Sequence, residues 1–178
     1  MLTVLLGGAR SGKSALAVRL ASEAGTPVTF LATAEALDGE MAARIATHRA
    51  SRPPTWSTVE EPLHVEAALS GAPAASTVVL DCLTMWVANL LGAGASDDDI
   101  LTSAAALSDL AAHRAGLVVA VSNEVGSGIV PASAISRQYR DLLGQVNTLF
   151  ALRATEAFLV VAGCLLALKR LPVGGPAA

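Results

Sequence analysis

Eight consecutive residues, Gly7-Gly8-Ala9-Arg10-Ser11-Gly12-Lys13-Ser14, bring together the groups that phosphate chemistry uses. Glycine, four residues and then Gly-Lys-Ser follow an apolar run, Leu2 to Leu6, and lead into a helical pattern that begins near Lys13. That order of strand, loop and helix is what a phosphate-binding loop requires. The glycines let the main chain curl so that its N–H groups face phosphate oxygens, and the helix start adds partial positive charge. Lys13 supplies a mobile ammonium and Ser14 a hydroxyl suited to Mg2+. A glycine-rich turn that binds nothing has no need of all three parts. The reading is a site for a nucleoside triphosphate.

A second candidate closes Thr77-Val78-Val79-Leu80-Asp81, an apolar strand ending in a carboxylate. In phosphate-loop proteins such a carboxylate orders Mg2+ beside the loop Ser or Thr. Asp81 also reads as the N-cap of a helix starting at Leu83, and the upstream loop favours the metal reading. The third candidate is His48. Glu40, Arg44 and His48 recur at four-residue spacing and share one helical face, with Arg49 and Arg52 close behind. A neutral imidazole can attack phosphorus, and nearby arginines can balance phosphate charge. Local sequence alone prefers a plainer reading, a surface histidine at a helix end favoured by the dipole. His64 and His113 sit in helical stretches without a partner set. Asn123 and Glu124 close a fourth strand, either as a polar pair in the site or as the start of a turn through Gly126 and Gly128.

The elements that must position these groups alternate along the chain. Leu2–Leu6, Val28–Thr33, Thr77–Leu80, Leu117–Ser122 and Phe158–Ala162 read as strands without polar alternation, which suits a parallel sheet covered on both faces. Helical patterns fall over Lys13–Ala24, Gly39–Arg49, Pro62–Leu69, Leu83–Leu91, Asp97–Ala115 and Ala132–Ala154. Loops are expected at Ala50–Pro54, Ser70–Ser76, Gly92–Ser96 and Glu124–Pro131. The expectation is an α/β fold with a mostly parallel sheet, one catalytic domain over residues 1–171 and a disordered tail over 172–178. In such sheets ligands gather at the carboxyl ends of the strands, where the candidates lie.

Bulk composition agrees. The 178 residues are 53% hydrophobic and 15% charged, with aromatics at only 3%, so Ala, Val and Leu must build the core. The longest apolar run, Ala157 to Leu168, is too short for a membrane span. Cys82 and Cys164 form no zinc or disulfide pattern, and the first residues carry no basic leader. A reduced, soluble, cytoplasmic protein is expected. The net charge of −3 and the absence of a basic block argue against nucleic acid as a partner.

Beyond the loop, several blocks carry a specific resemblance. Leu31-Ala32-Thr33-Ala34 precedes Glu40-Met41 and Arg44-Ile45; His48, Arg52-Pro53, Trp56, Thr58 and Glu60 follow. Then come Asp81-Cys82-Leu83-Thr84 with Trp86 and Asn89-Leu90-Leu91, and the block Ser122 to Pro131 with Arg137, Tyr139-Arg140-Asp141, Gly144 and Asn147. In this order and spacing the chain resembles the bifunctional adenosylcobinamide kinase/adenosylcobinamide-phosphate guanylyltransferases of cobalamin biosynthesis, from residue 2 to about residue 162. Gly39, where the family usually has an acidic residue, and the stretch Cys164 to Lys169, where it has a proline-bearing turn, depart from the pattern.

The resemblance implies a RecA-like phosphate-loop fold and an oligomer, commonly a trimer. It implies that His48 becomes guanylylated. It also implies that Ala32, Thr33, Ala34, Arg49, Ala50, Ser51, Arg52 and Glu60 hold the guanine nucleotide beside Gly7–Ser14 and Asp81. The substrates implied are adenosylcobinamide with ATP or GTP, and Mg2+ on Ser14 and Asp81. Two other readings use the same loop: a small-molecule kinase without a covalent step, and a RecA-like nucleotide switch or nucleic-acid motor.

Overall fold

A computed structural model of the chain describes residues 1–36, 38–50 and 52–169. In chain order the elements are β1 (Leu2–Leu6), α1 (Lys13–Glu23), β2 (Val28–Ala32), α2 (Gly39–Ala50), β3 (Ser57–Glu60) and α3 (Val65–Gly71). They continue with β4 (Thr77–Asp81), α4 (Leu83–Gly92), α5 (Asp97–His113), β5 (Val118–Val121), α6 (Ala134–Arg153), β6 (Glu156–Val161) and β7 (Cys164–Ala167). The expected α/β architecture is present. Sequence alone missed β3 and β7 and placed the other ends within three residues. The expected tail, 172–178, lies outside the described residues.

One sheet runs β3-β2-β4-β5-β1-β6-β7, parallel throughout except for the antiparallel hairpin of β6 and β7. The order explains the uninterrupted apolar runs, because central strands are covered on both faces. Alternate residues divide between two cores. Leu2, Val4, Val78, Leu80, Val118 and Ala120 pack among residues of α3, α4, α5 and α6, around the fully buried Phe150 and Leu143. Leu5, Val79, Val119 and Val121 point the other way, onto Leu16, Ala17 and Ala21 of α1. Each buried leucine or valine contributes roughly 1.5–3 kcal/mol of transfer free energy, so this two-sided burial is what fixes the register.

Two connections matter for the site. β5 lies between β1 and β4, so the phosphate loop after β1 and Asp81 at the end of β4 flank whatever follows β5. The segment between β3 and α3 is pinned from within: Trp86 Nε1 donates to Leu63 O at 3.0 Å and Asn89 Nδ2 to Pro62 O at 3.2 Å. The helix expected from Pro62 begins at Val65 instead. Leu63 and His64 donate their main-chain N–H groups to the Glu61 carboxylate at 3.0 and 2.8 Å, which holds a turn in place of the first helical residues.

Candidate active site

The loop between β1 and α1 has the curl its glycines suggest. Gly7 has φ +152° and Gly12 has φ +102°. At Gly7 a Cβ would come within 2.3 Å of the Val160 carbonyl of β6, so the position has no space for a side chain. Gly12 caps α1 in the left-handed region, where no side chain bonds the first-turn N–H groups and no acidic residue follows. Those donors and the positive end of the helix dipole face the cleft. Lys13, buried, folds back across the loop and donates to Gly7 O at 2.9 Å and Gly8 O at 2.7 Å. Burial pulls its ammonium below the usual lysine range, with Cys82 and Asp81 opposing.

Asp81 does not occupy the cap position of α4. Cys82 is the N-cap of α4, whereas Ser14 Oγ donates to Asp81 Oδ2 at 3.1 Å. Burial raises the Asp81 carboxyl above the ordinary range; the Ser14 hydroxyl and the His48, Arg52 and Lys13 charges pull it back. Behind it, the buried Thr33 hydroxyl donates to Cys82 O at 2.7 Å and accepts from Cys82 N at 2.8 Å. Asn89 Nδ2 donates to Thr33 O at 2.7 Å. The Cys82 thiol is pushed up to about 11, chiefly by burial, so it stays a neutral wall of the cleft.

The opposite wall comes from α2 and β3. His48 is exposed near the C-terminus of α2, and Arg49 beside it meets Glu60 of β3 at 3.4 Å across an open surface. Such exposed pairs contribute little stability. Arg52 stacks on the ring of Phe30 at 3.4 Å from its centroid, and its Nη1 donates weakly to Thr58 Oγ1 at 3.5 Å. Its Nε is buried without a partner, and burial draws the guanidinium below the usual arginine range.

These walls enclose one cleft of about 710 Å3 at the carboxyl ends of β1, β2, β4 and β5. Its lining brings together Ala9 to Ser14, Ala32, Ala34, His48, Arg49, Arg52, Glu60 and Asp81. Of the other residues singled out by sequence, Gly7 and Gly8 contribute carbonyls to Lys13, and Thr33 stands behind Asp81. Ala50 is exposed outside the lining. Ser51 and the side chain of Arg44 lie outside the described residues. Met41, Ile45, Pro62, Met85 and Asn123 also line the cleft. Met41 and Ile45 were visible among the blocks that carry the resemblance; Pro62 and Met85 gave no signal of the site. For Glu124 the turn reading holds, since its Oε1 accepts from Gly126 N at 2.6 Å.

A family model described as cobinamide kinase / cobinamide phosphate guanyltransferase matches residues 3–168. The bifunctional adenosylcobalamin biosynthesis protein CobP of Pseudomonas aeruginosa is 45% identical over 176 residues, covering 97% of this chain and 100% of that protein. The bifunctional adenosylcobalamin biosynthesis proteins CobU of Escherichia coli and Salmonella typhimurium are each 39% identical, over 176 and 180 residues. In both cases the match covers 92% of this chain and 97% of the relative.

Proposed function

The chain belongs to the cobinamide kinase / cobinamide phosphate guanyltransferase family, and on that premise we propose that it performs two successive transfers in the one cleft. In the first, the γ-phosphoryl group of ATP or GTP passes to the hydroxyl of adenosylcobinamide. Lys13 leaves its loop carbonyls for the phosphate oxygens, and the open N–H groups at the start of α1 hold the rest of the triphosphate. Phosphoryl transfer passes through a loose transition state, so positioned donors matter more than proton removal.

The oxygen donors of Ser14 and Asp81, 3.1 Å apart beside the loop, suit Mg2+, which takes one or two protein oxygens and completes its shell with phosphates and water. Among the described residues no group of three or more His, Cys, Asp and Glu side chains competes as a metal cage. When bound, Mg2+ neutralises charge on the phosphates.

In the second transfer, His48 attacks the α-phosphorus of GTP. A bond forms from the imidazole to phosphorus, the α–β bridging bond breaks and pyrophosphate departs. The phosphate oxygen of adenosylcobinamide phosphate then attacks the same phosphorus, releases the imidazole and yields adenosylcobinamide-GDP. Arg49, Arg52 and Glu60 line the guanine nucleotide's end of the cleft, with Ala32 and Ala34 beneath it. Two bulky reactants need not meet at once when a covalent carrier links the steps. We read the molecule as cytoplasmic and as a homo-oligomer, the second reading supported by the exposed apolar side chains of its edge strand, Leu165 and Leu166.

The observation that supports this reading best is the sharing of one cleft by the phosphate loop and His48. Incubation with Mg2+ and GTP, followed by intact mass and peptide mapping, should give a GMP adduct on His48 that acid removes and base spares. His48→Ala should give none. Label retained by that variant would remove His48 from the mechanism, and kinase turnover without any adduct would leave a kinase alone.

A further inference from the structure

Val119 and Val121 of β5 face α1, whose first turn is the phosphate-binding end. The parallel ladder between β1 and β5 continues past the last strand residue, because Ser122 N donates to Leu5 O at 2.9 Å and Glu124 N to Gly7 O at 3.1 Å. Residue 123 therefore remains in extended register, one side-chain period beyond Val121 and on the same face. Its own main-chain groups are held from the other side. Asn123 N donates to Thr84 Oγ1 at 2.8 Å, and Asn147 Nδ2 donates to Asn123 O at 3.0 Å. Thr84 and Asn147 are both buried, and Thr84 O accepts the Tyr139 hydroxyl at 3.2 Å.

The result is a rigid main chain carrying an uncommitted amide. Asn123 lines the cleft, and none of its hydrogen bonds to other described residues uses the carboxamide. It issues from the strand between the one that leads to Lys13 and the one that ends in Asp81. A neutral carboxamide between a phosphate-seeking lysine and a metal-seeking carboxylate is suited to donate to phosphate oxygen without adding charge. A buried, hydrogen-bonded support of this kind is what keeps a donor at a fixed distance from a reacting group.

We propose that Asn123 is a catalytic residue of the phosphorylation step, its side-chain NH2 donating to an oxygen of the nucleotide's terminal phosphoryl group. The proposal rests on the reading that this cleft transfers that group. In the step the acceptor hydroxyl oxygen bonds to the γ-phosphorus and the bond to the β–γ bridging oxygen breaks. The nucleoside diphosphate keeps the electron pair, and the hydroxyl proton passes to solvent. Asn123 holds charge on the equatorial oxygens as the group crosses. Asn147 and Thr84 act only through it, as positioning residues.

The test compares two nucleotides that differ by the γ-phosphate alone: the α,β-methylene analogues of GTP and GDP, which His48 cannot cleave. With Mg2+ present, calorimetric titration of Asn123→Ala should show affinity for the triphosphate analogue down about ten-fold or more. Affinity for the diphosphate analogue should stay within about two-fold. Asn123→Asp, which sets a carboxylate against the phosphate, should widen the gap. Turnover of adenosylcobinamide should fall about 100-fold in kcat for Asn123→Ala, with the KM for adenosylcobinamide kept. Equal losses for both analogues, or no loss for either, would overturn the proposal. Should Asn123→Ala fail to fold, Asn123→Ser serves, since the main-chain bonds remain. If the wild type does not phosphorylate adenosylcobinamide yet the two analogues separate, the proposed function fails and the Asn123 contact stands. If the wild type turns over and the analogues do not separate, only the contact fails.

Discussion

Thr33 uses one hydroxyl for two main-chain partners, giving its proton to Cys82 O and receiving one from Cys82 N. It is fully buried, so water cannot replace it. Valine has nearly the same shape but can do neither, and it would leave the Cys82 N–H buried without an acceptor. Thr33→Val should therefore cost about 1–3 kcal/mol in urea unfolding. Because Cys82 follows Asp81, the same variant should bind Mg2+-nucleotide more weakly while keeping its magnesium-free affinity. A wild-type unfolding midpoint would count against this role. The sequence announced Lys13, Ser14 and Asp81 by motif, but Thr33 stood out only by resemblance, since a threonine ending a strand is an ordinary residue. Asn123 was legible as polar and close to the site. Its use was not, because neither the clamp from Thr84 nor that from Asn147 shows in linear order.

At the scale of an element, the start of α3 depends on Glu61. The N–H of His64 and then that of Leu63 hold its carboxylate below the usual range. A depressed carboxylate contributes stability that is present above its unfolded value near 4.5 and is lost as pH falls through the folded value. Glu61→Ala should be less stable than wild type at pH 7, by about 0.5–2 kcal/mol. Thermal melts should show the gap closing as pH is lowered below about 4.5; a gap constant from pH 7 to pH 3 would rule the carboxylate out. Pro62 misled the reading of this region because proline favours a first helical position, and the turn that Glu61 holds postpones the helix. β3 escaped notice for another reason. Ser57, Val59 and Glu60 are exposed on an edge strand, so no apolar run marks it. Yet β3 carries Glu60 into the cleft.

At the scale of the molecule, both edges of the sheet are open to solvent. All four residues of β7 are exposed, with Leu165 at 46% and Leu166 at 60%, and Ile129, Val130 and Ile135 are exposed beyond β5. Apolar edge strands invite pairing unless something covers them. Light scattering on the eluting peak should give a multiple of 18.0 kDa, and a monomer mass at micromolar concentration would count against the oligomer. The order of layers was legible because buried strands and amphipathic helices have different periods. The neighbours in the sheet were not, since β5 enters between β1 and β4 only through contacts far apart in sequence. That arrangement has a further consequence. The phosphate-binding strands occupy the third, fourth and fifth places of seven, whereas His48 rides on a helix with no buried residue among those described, next to the edge strand β3. Opening the first wall means unfolding the sheet; opening the second costs only a local fluctuation. One wall of the cleft can thus fluctuate while the other stays fixed.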